Sequence, residues 1–205
     1  MLPSKNVKHM PAIASTQASV LLQKIDAYPS VTTRLLLLLA NTFVRVGELV
    51  GMRWDEICSD VWVIPASRMK RRIPHVVPLS TQVKAVLAKL RLLNEGSDLV
   101  FESPLNRGQS ISKETPINAL YRMGMKGEMT AHGFRSLASS VLNERSEFKK
   151  EVIERQLAHS ETDEVHAAYN RAEYLDQRIK LMQWWSDWLD GQRVQALPPD
   201  SITRE

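Results

Sequence analysis

Positions 35–39 are five consecutive leucines, preceded by Arg34 and followed by Asn41 and Arg45. A helix that is apolar on every side has no face to offer water, so it belongs inside a core. It cannot be a membrane span, which takes roughly 20 apolar residues. A chain of 205 residues, 43% of them hydrophobic, has enough material to bury such a helix in one domain of ordinary size.

Other exclusions are quick. Cys58 is the only cysteine, which rules out an intramolecular disulfide and a thiolate metal cluster and points to a reducing cytoplasm. The opening Met1-Leu2-Pro3-Ser4-Lys5 has no apolar signal-peptide core, so the reading is a soluble protein that is not exported. A formal charge of +4 and a pI of about 9.3 permit a nucleic-acid partner without demanding one.

Residues 1–14 carry two prolines and little periodicity, and read as an extended arm or the end of an interdomain linker. From Thr16, the apolar positions Ala18, Leu21, Leu22, Ile25 and Tyr28 fall at helical spacing. Pro29 stops that helix and Ser30 caps the leucine helix, which is expected to run to about Val44. Gly47 and Gly51 mark short helical turns. Val61-Trp62-Val63-Ile64-Pro65 and His75-Val76-Val77-Pro78-Leu79 read as strands of a small antiparallel sheet, with Lys70-Arg71-Arg72 at their turn. Ser80 caps a helix to about Leu93, Leu99-Val100-Phe101 adds a short strand, and a loop covers 103–112. Thr115-Pro116 opens another helix. Beyond Thr130 the chain reads as helical throughout, in segments 150–158, 163–170 and 172–189. The fold class is mainly α with a small antiparallel β-sheet (α+β). Residues 15–190 form the main domain and 191–205 a polar tail.

Several residues carry chemistry. A phenol can attack phosphorus, clustered cations can hold the transition state, and histidine and lysine can move protons. His132 and Arg135 share a helical face roughly opposite the stripe of Phe134, Leu137 and Val141. That stripe does not explain them, and a solvated face is their ordinary reading. Arg45 and Glu48, one turn apart, are by themselves an ordinary surface ion pair. Arg68-Met69-Lys70-Arg71-Arg72 is a solvated turn on base composition, and equally suited to a phosphate backbone. His75 and His166 read as a strand-face and a helix-surface histidine. Tyr174 reads as a packing residue, and Trp184, Trp185 and Trp188 as anchors of the last helix.

The order of these pieces is more informative than any one of them. Thr42-Phe43-Val44-Arg45-Val46-Gly47-Glu48-Leu49 resembles the first arginine box of the tyrosine recombinases, the phage-integrase family. Arg68-Met69-Lys70 with His75-Val76-Val77-Pro78-Leu79-Ser80 resembles its lysine hairpin. Thr130-Ala131-His132-Gly133-Phe134-Arg135 and Gln156-Leu157-Ala158-His159 are similar to its second box. Ala167-Ala168-Tyr169-Asn170-Arg171-Ala172-Glu173-Tyr174-Leu175 looks like its nucleophile box. The boxes are most similar to those of integrases from satellite prophages and pathogenicity islands, and span about residues 15–190.

The resemblance implies the DNA breaking-rejoining catalytic fold and assigns roles. Tyr169 would attack the scissile phosphate and leave a 3′-phosphotyrosyl link. Arg45 and Arg135 would clamp the nonbridging oxygens, and His159 would add a hydrogen bond. Lys70 would protonate the departing 5′-oxygen and His132 would assist proton removal from Tyr169, with Glu48 in support behind them. Arg68, Arg71 and Arg72 would contact DNA. No metal and no other cofactor is called for. The partners implied are double-stranded DNA and three further copies of the chain in a synapse, with a monomer off DNA. Two alternatives share these residues: a type IB topoisomerase-like nicking and closing activity, and a truncated DNA-binding remnant.

Integrases of this kind usually carry arm-binding and core-binding domains ahead of the catalytic one, whereas about 14 residues precede the first helix here. Either an excised fragment or a natural truncation fits. Each absent phosphate contact weakens a salt-dependent binding term. The chain alone is therefore expected to bind duplex DNA weakly and without sequence preference at roughly 150 mM salt. A gel-shift titration checks this; a sharp sequence-specific complex would contradict it.

Overall fold

A computed structural model describes residues 11–28, 30–94, 96–159 and 174–195. At its centre is the leucine helix α2 (Val31–Thr42), following α1 (Ala18–Asp26). Ser30 Oγ accepts the Thr32 N–H at 3.1 Å and caps it. Leu35, Leu36, Leu38, Leu39 and Ala40 are buried. Around α2 pack α1, α3 (Val46–Val50), α4 (Thr81–Leu93), α5 (Thr115–Arg122), α6 (Gly133–Arg145) and the last helix α8 (Leu175–Gln195). Helix α7 (Lys150–Gln156) lies between α6 and α8.

The leucine helix ends two residues before the expected Val44, at Phe43, whose φ of 41° is left-handed. Such a conformation is strained for a bulky residue and persists only where its surroundings hold it. Here the ring is fully buried and meets Trp185 edge-on, at 6.1 Å between centroids. Trp185 also donates its indole N–H to the Ala40 carbonyl at 2.8 Å and stacks on Trp188 at 5.1 Å. The tryptophans thus anchor α8, as the sequence suggests, and Tyr174 packs partly buried against the core. Helix α8 continues to Gln195, beyond the expected end at position 189.

The sheet has three antiparallel strands in the order β1 (Ile57–Cys58), β2 (Val61–Ile64) and β3 (His75–Pro78). Trp62 and Ile64 face the core, opposite Val77 and His75, while Val63 faces out. The two-residue β1 is absent from the sequence expectation. The strand expected at Leu99-Val100-Phe101 is instead a looser pairing: bridges at Arg53–Leu99 and Glu102–Ser110, and Val100 N–H donating to Met52. Ser80 caps α4 as expected, accepting the Val83 N–H at 3.3 Å. The helix expected at 163–170 lies outside the described residues.

Residues 11–14 are extended, yet held. Thr130 Oγ1 donates to the Pro11 carbonyl at 3.1 Å and accepts the Gly133 N–H at 3.0 Å. A β-carbon on Gly133 would lie 2.9 Å from the Pro11 carbonyl oxygen, so only glycine lets this segment cross the start of α6. Among the described residues, no helix is long and apolar enough to cross a membrane.

Because Trp185 joins α8 to α2 by packing and by a buried hydrogen bond, Trp185→Ala is expected to destabilise the protein by about 3–5 kcal/mol. Urea denaturation monitored by circular dichroism measures it.

Candidate active site

The chain leaves α2 through Phe43 and turns into α3 at Arg45. Glu48 holds this turn with both oxygens. One accepts the Arg45 backbone N–H at 2.9 Å, and the other the Arg45 Nη1 at 2.9 Å. Glu48 is buried, whereas the Arg45 side chain is 35% exposed. The carboxylate thus fixes one edge of the guanidinium while the side chain stays accessible.

Arg135, in the first turn of α6, is only 5% exposed. Its Nη1 donates to the Phe43 carbonyl at 2.7 Å and its Nη2 to the Leu157 carbonyl. The sequence places Arg135 away from the core stripe of α6, with a solvated face as its ordinary reading; the structure corrects this. The stripe argument counts one packing face, but the ends of α2 and α7 close over the other side. Burial, and then the charge of Arg45, lower the Arg135 pKa to about 10, against the pull of Glu48 and Glu154. It remains a cation at neutral pH.

His132 is exposed at the N-cap of α6. Partial burial lowers its pKa first, followed by the charges of Arg135, Arg45 and His159. The shift favours the neutral imidazole, the form that can take a proton. His159 follows Ala158, whose φ of 48° ends the turn after α7. Its Nδ1 lies 2.8 Å from Glu154 Oε2, and its backbone N–H donates to the Glu154 carbonyl at 3.1 Å. The carboxylate selects Nδ1–H as the donor and leaves Nε2 directed elsewhere.

Four expected site residues, Arg45, His132, Arg135 and His159, therefore converge electrostatically with Glu48, from the α2–α3 turn, the start of α6 and the end of α7. Lys70 is not among the charges that shift His132 or Arg135. It is exposed at the β2–β3 turn and has no hydrogen bond or ion pair among the described residues. Arg71 and Arg72 are also exposed there, with Arg72 Nη1 donating to the Ser67 carbonyl at 3.3 Å.

Arg68, expected to face DNA with them, is turned inward. It pairs with Glu56 at 2.6 Å and donates to the Glu48 carbonyl at 3.0 Å. Gly51 makes room, since a β-carbon there would lie 2.6 Å from Arg68 Nη1. Tyr169 lies outside the described residues, between the end of α7 and Tyr174. No group of three or more His, Cys, Asp or Glu among the described residues is placed to hold a metal.

The sequence reading missed three contributors. Glu154 orients His159. His75 is buried beneath the site. Arg178 is buried at the head of the α8 stripe that continues through Leu181, Met182, Trp185 and Leu189. A cation at the head of an apolar stripe was the available signal.

A sequence model of the phage integrase family matches residues 11–175. The chain is similar to prophage integrase IntA of Escherichia coli strain K12, with 41% identity over 184 residues that cover 88% of this chain and 44% of that protein. It is 37% identical to the integrase of Enterobacteria phage P4 over 211 residues, covering 94% and 48%. The chain spans about half the length of the curated relatives it matches. In fold it is similar to XerA recombinase, with a TM-score of 0.58 at 20% identity over 96% of this chain and 68% of that one. The fold is also similar to that of lambda integrase in a tetramer bound to a Holliday junction, with a TM-score of 0.61 at 17% identity over 80% and 51%.

Burial and the cations Arg178, Arg135, Arg155 and Arg45 lower the His75 pKa from 6.5 to about 3. The folded protein keeps His75 neutral while the unfolded chain protonates it below about 6.5. Its contribution is full above that pH and is lost as pH falls toward 3. The wild type is expected to lose about 2 kcal/mol through His75 between roughly pH 7 and roughly pH 5. Denaturant midpoints should show a shallower loss in His75→Gln.

Proposed function

The chain belongs to the phage integrase family, and from that membership we propose that it is the catalytic portion of a site-specific DNA recombinase that uses Tyr169 as its nucleophile. The observation that carries this reading is the cluster of Arg45, His132, Arg135 and His159. It gathers at the end of α7, where the chain enters the segment containing Tyr169. Such a cluster, with two guanidiniums and two imidazoles offering hydrogen bonds from several directions, suits a phosphodiester.

The chemistry follows from donor counts. A guanidinium has five N–H groups. Arg135 commits two to backbone carbonyls and Arg45 one to Glu48, so each retains donors for the nonbridging oxygens. His159, steadied by Glu154, adds a hydrogen bond to the developing charge. His132, favoured as the neutral base, takes the phenolic proton as Tyr169 Oη forms its bond to phosphorus. The P–O5′ bond breaks, and Lys70 delivers a proton to the leaving oxygen. Because Lys70 stands apart from the cluster, the β2–β3 hairpin closes on the substrate to bring it in. Attack by a 5′-hydroxyl on the phosphotyrosine reverses these steps and releases Tyr169. The phosphotyrosyl bond conserves the energy of the original linkage, so the cycle uses neither metal nor nucleotide.

The substrate is double-stranded DNA in a bacterial cytoplasm, and the reaction is integration or excision of a mobile element. Support comes from the prophage and phage integrases among the relatives. Strand exchange takes four copies of the chain, in keeping with the tetramer on a Holliday junction described for lambda integrase. Arg71 and Arg72 contact the DNA backbone, while Arg68 is reserved for Glu56.

On a nicked suicide duplex, which traps the intermediate by losing its 5′ fragment, the chain is expected to form a covalent protein–DNA adduct. Denaturing electrophoresis detects it. Tyr169→Phe is expected to abolish the adduct, and an adduct that survives this change rules the mechanism out.

A further inference from the structure

Arg178 lies in the first turn of α8, nine residues after Tyr169, and is 2% exposed. Among the described residues no carboxylate pairs with it. Its Nε donates to Gln156 Oε1 at 2.9 Å and its Nη2 to the Val76 carbonyl. Burial, and then the charge of Arg155, lower its pKa to about 10, which leaves it charged at neutral pH. A buried cation satisfied only by neutral acceptors is a poor stabiliser. Its position suggests what else the charge and its fork geometry provide.

Three elements meet at this guanidinium. Gln156 is the last residue of α7, 1% exposed and three residues before His159. Val76 belongs to β3, the strand that closes the hairpin bearing Lys70. Arg178 itself sits just beyond the segment that carries Tyr169. Arg135 grips the next carbonyl after Gln156, that of Leu157. Two guanidiniums from different helices therefore hold consecutive residues at the point where α7 ends. Between α7 and α8, the nucleophile's segment has both its attachment points within reach of one side chain.

Resting on the recombinase reading above, we propose that Arg178 is a positioning residue for strand cleavage. By bonding Gln156 and Val76 it fixes both flanks of the 157–174 segment and the base of the hairpin, so that His159, Tyr169 and Lys70 converge on one phosphate. It touches no reacting atom. Its loss acts on the chemical step rather than on DNA affinity, because misplacement of the reacting groups by a fraction of an ångström slows reaction without removing phosphate contacts.

The test is single-turnover cleavage of the nicked suicide duplex by the full chain at saturating DNA, with binding measured separately by fluorescence anisotropy. For Arg178→Met, adduct formation is expected to slow by about tenfold or more, with Kd for DNA within about twofold of wild type. Arg178→Lys should recover part of the rate, because an ammonium can reach both acceptors but lacks the fork. Gln156→Met should show the same separation of rate from affinity to a smaller degree. Without DNA, amide exchange at residues 157–159 should quicken by about tenfold in Arg178→Met, beyond any change in global stability.

A folded Arg178→Met that cleaves at the wild-type rate, or whose defect lies entirely in Kd, overturns the proposal. Should that variant not fold, wild-type cleavage rates in both Arg178→Lys and Gln156→Met overturn it instead. A wild-type chain that forms no adduct overturns the recombinase reading and this proposal with it. A wild-type adduct with unaffected variants removes only the positioning role.

Discussion

The guanidinium of Arg135, buried without direct contact to a carboxylate among the described residues, is the constraint around which the site is arranged. Stripping water from such a group costs on the order of several kcal/mol, and two backbone carbonyls return only part of that. Those carbonyls belong to Phe43 and Leu157, the residues where α2 and α7 end. Satisfying the cation therefore requires both helix ends to reach it at once. Arg45 and His159 arrive with them, since they follow each carbonyl by two residues. The like charge of Arg45 adds to the burden and Glu48 and Glu154 relieve it in part. An anion placed between the cations would relieve the rest, as expected of a site preorganised for charge that arrives with the substrate.

The left-handed Phe43 belongs to the same arrangement. A right-handed residue there would carry the leucine helix onward and point the carbonyl along its axis, away from α6. The strain of φ 41° is met by burial of the ring against Trp185, which is itself hydrogen-bonded to Ala40. The apolar core and the cation cluster are thus coupled through one residue, with its ring in the former and its carbonyl in the latter. This explains why a five-leucine helix and a tryptophan-rich terminal helix bear on chemistry that neither touches. They hold the C-terminal turn of α2 at the angle Arg135 needs.

Much of this was legible in the sequence where the signal is local. Ser30 and Ser80 cap the helices they were expected to cap, and the 61–64 and 75–78 runs pair as strands. The buried faces of α2 and α6 follow their periodicity. Departures occur where a residue's surroundings come from far along the chain. Arg135 lies opposite its own helix's stripe, but α2 and α7, 92 and 22 residues away at the bonded carbonyls, bury it. Arg68 looks like its neighbours Arg71 and Arg72, but Glu56 and the gap above Gly51 draw it inward. Two-residue β1 is too short to leave a pattern, and the 99–101 run pairs only through single bridges. In the site, spacing and order could name Arg45, His132, Arg135 and His159. Neither could show that Lys70 stands apart from them.

That separation of Lys70 accords with the way the other groups are tied. Glu48 holds Arg45 through backbone and side chain, Glu154 holds His159 the same way, and Arg135 is fixed by two carbonyls. These three groups are set in place without a substrate, because their partners are the protein's own. In the mechanism proposed above, the atom Lys70 serves would belong to the substrate, so the protein need not supply an internal partner to hold it. A rigid ammonium beside two guanidiniums would add like-charge repulsion to both. Placing it on an exposed hairpin tip avoids that repulsion until a phosphate offsets it. The hairpin's base is secured by Arg68 on Glu56 and by Arg178 on Val76, which leaves the tip carrying Lys70 as its free end.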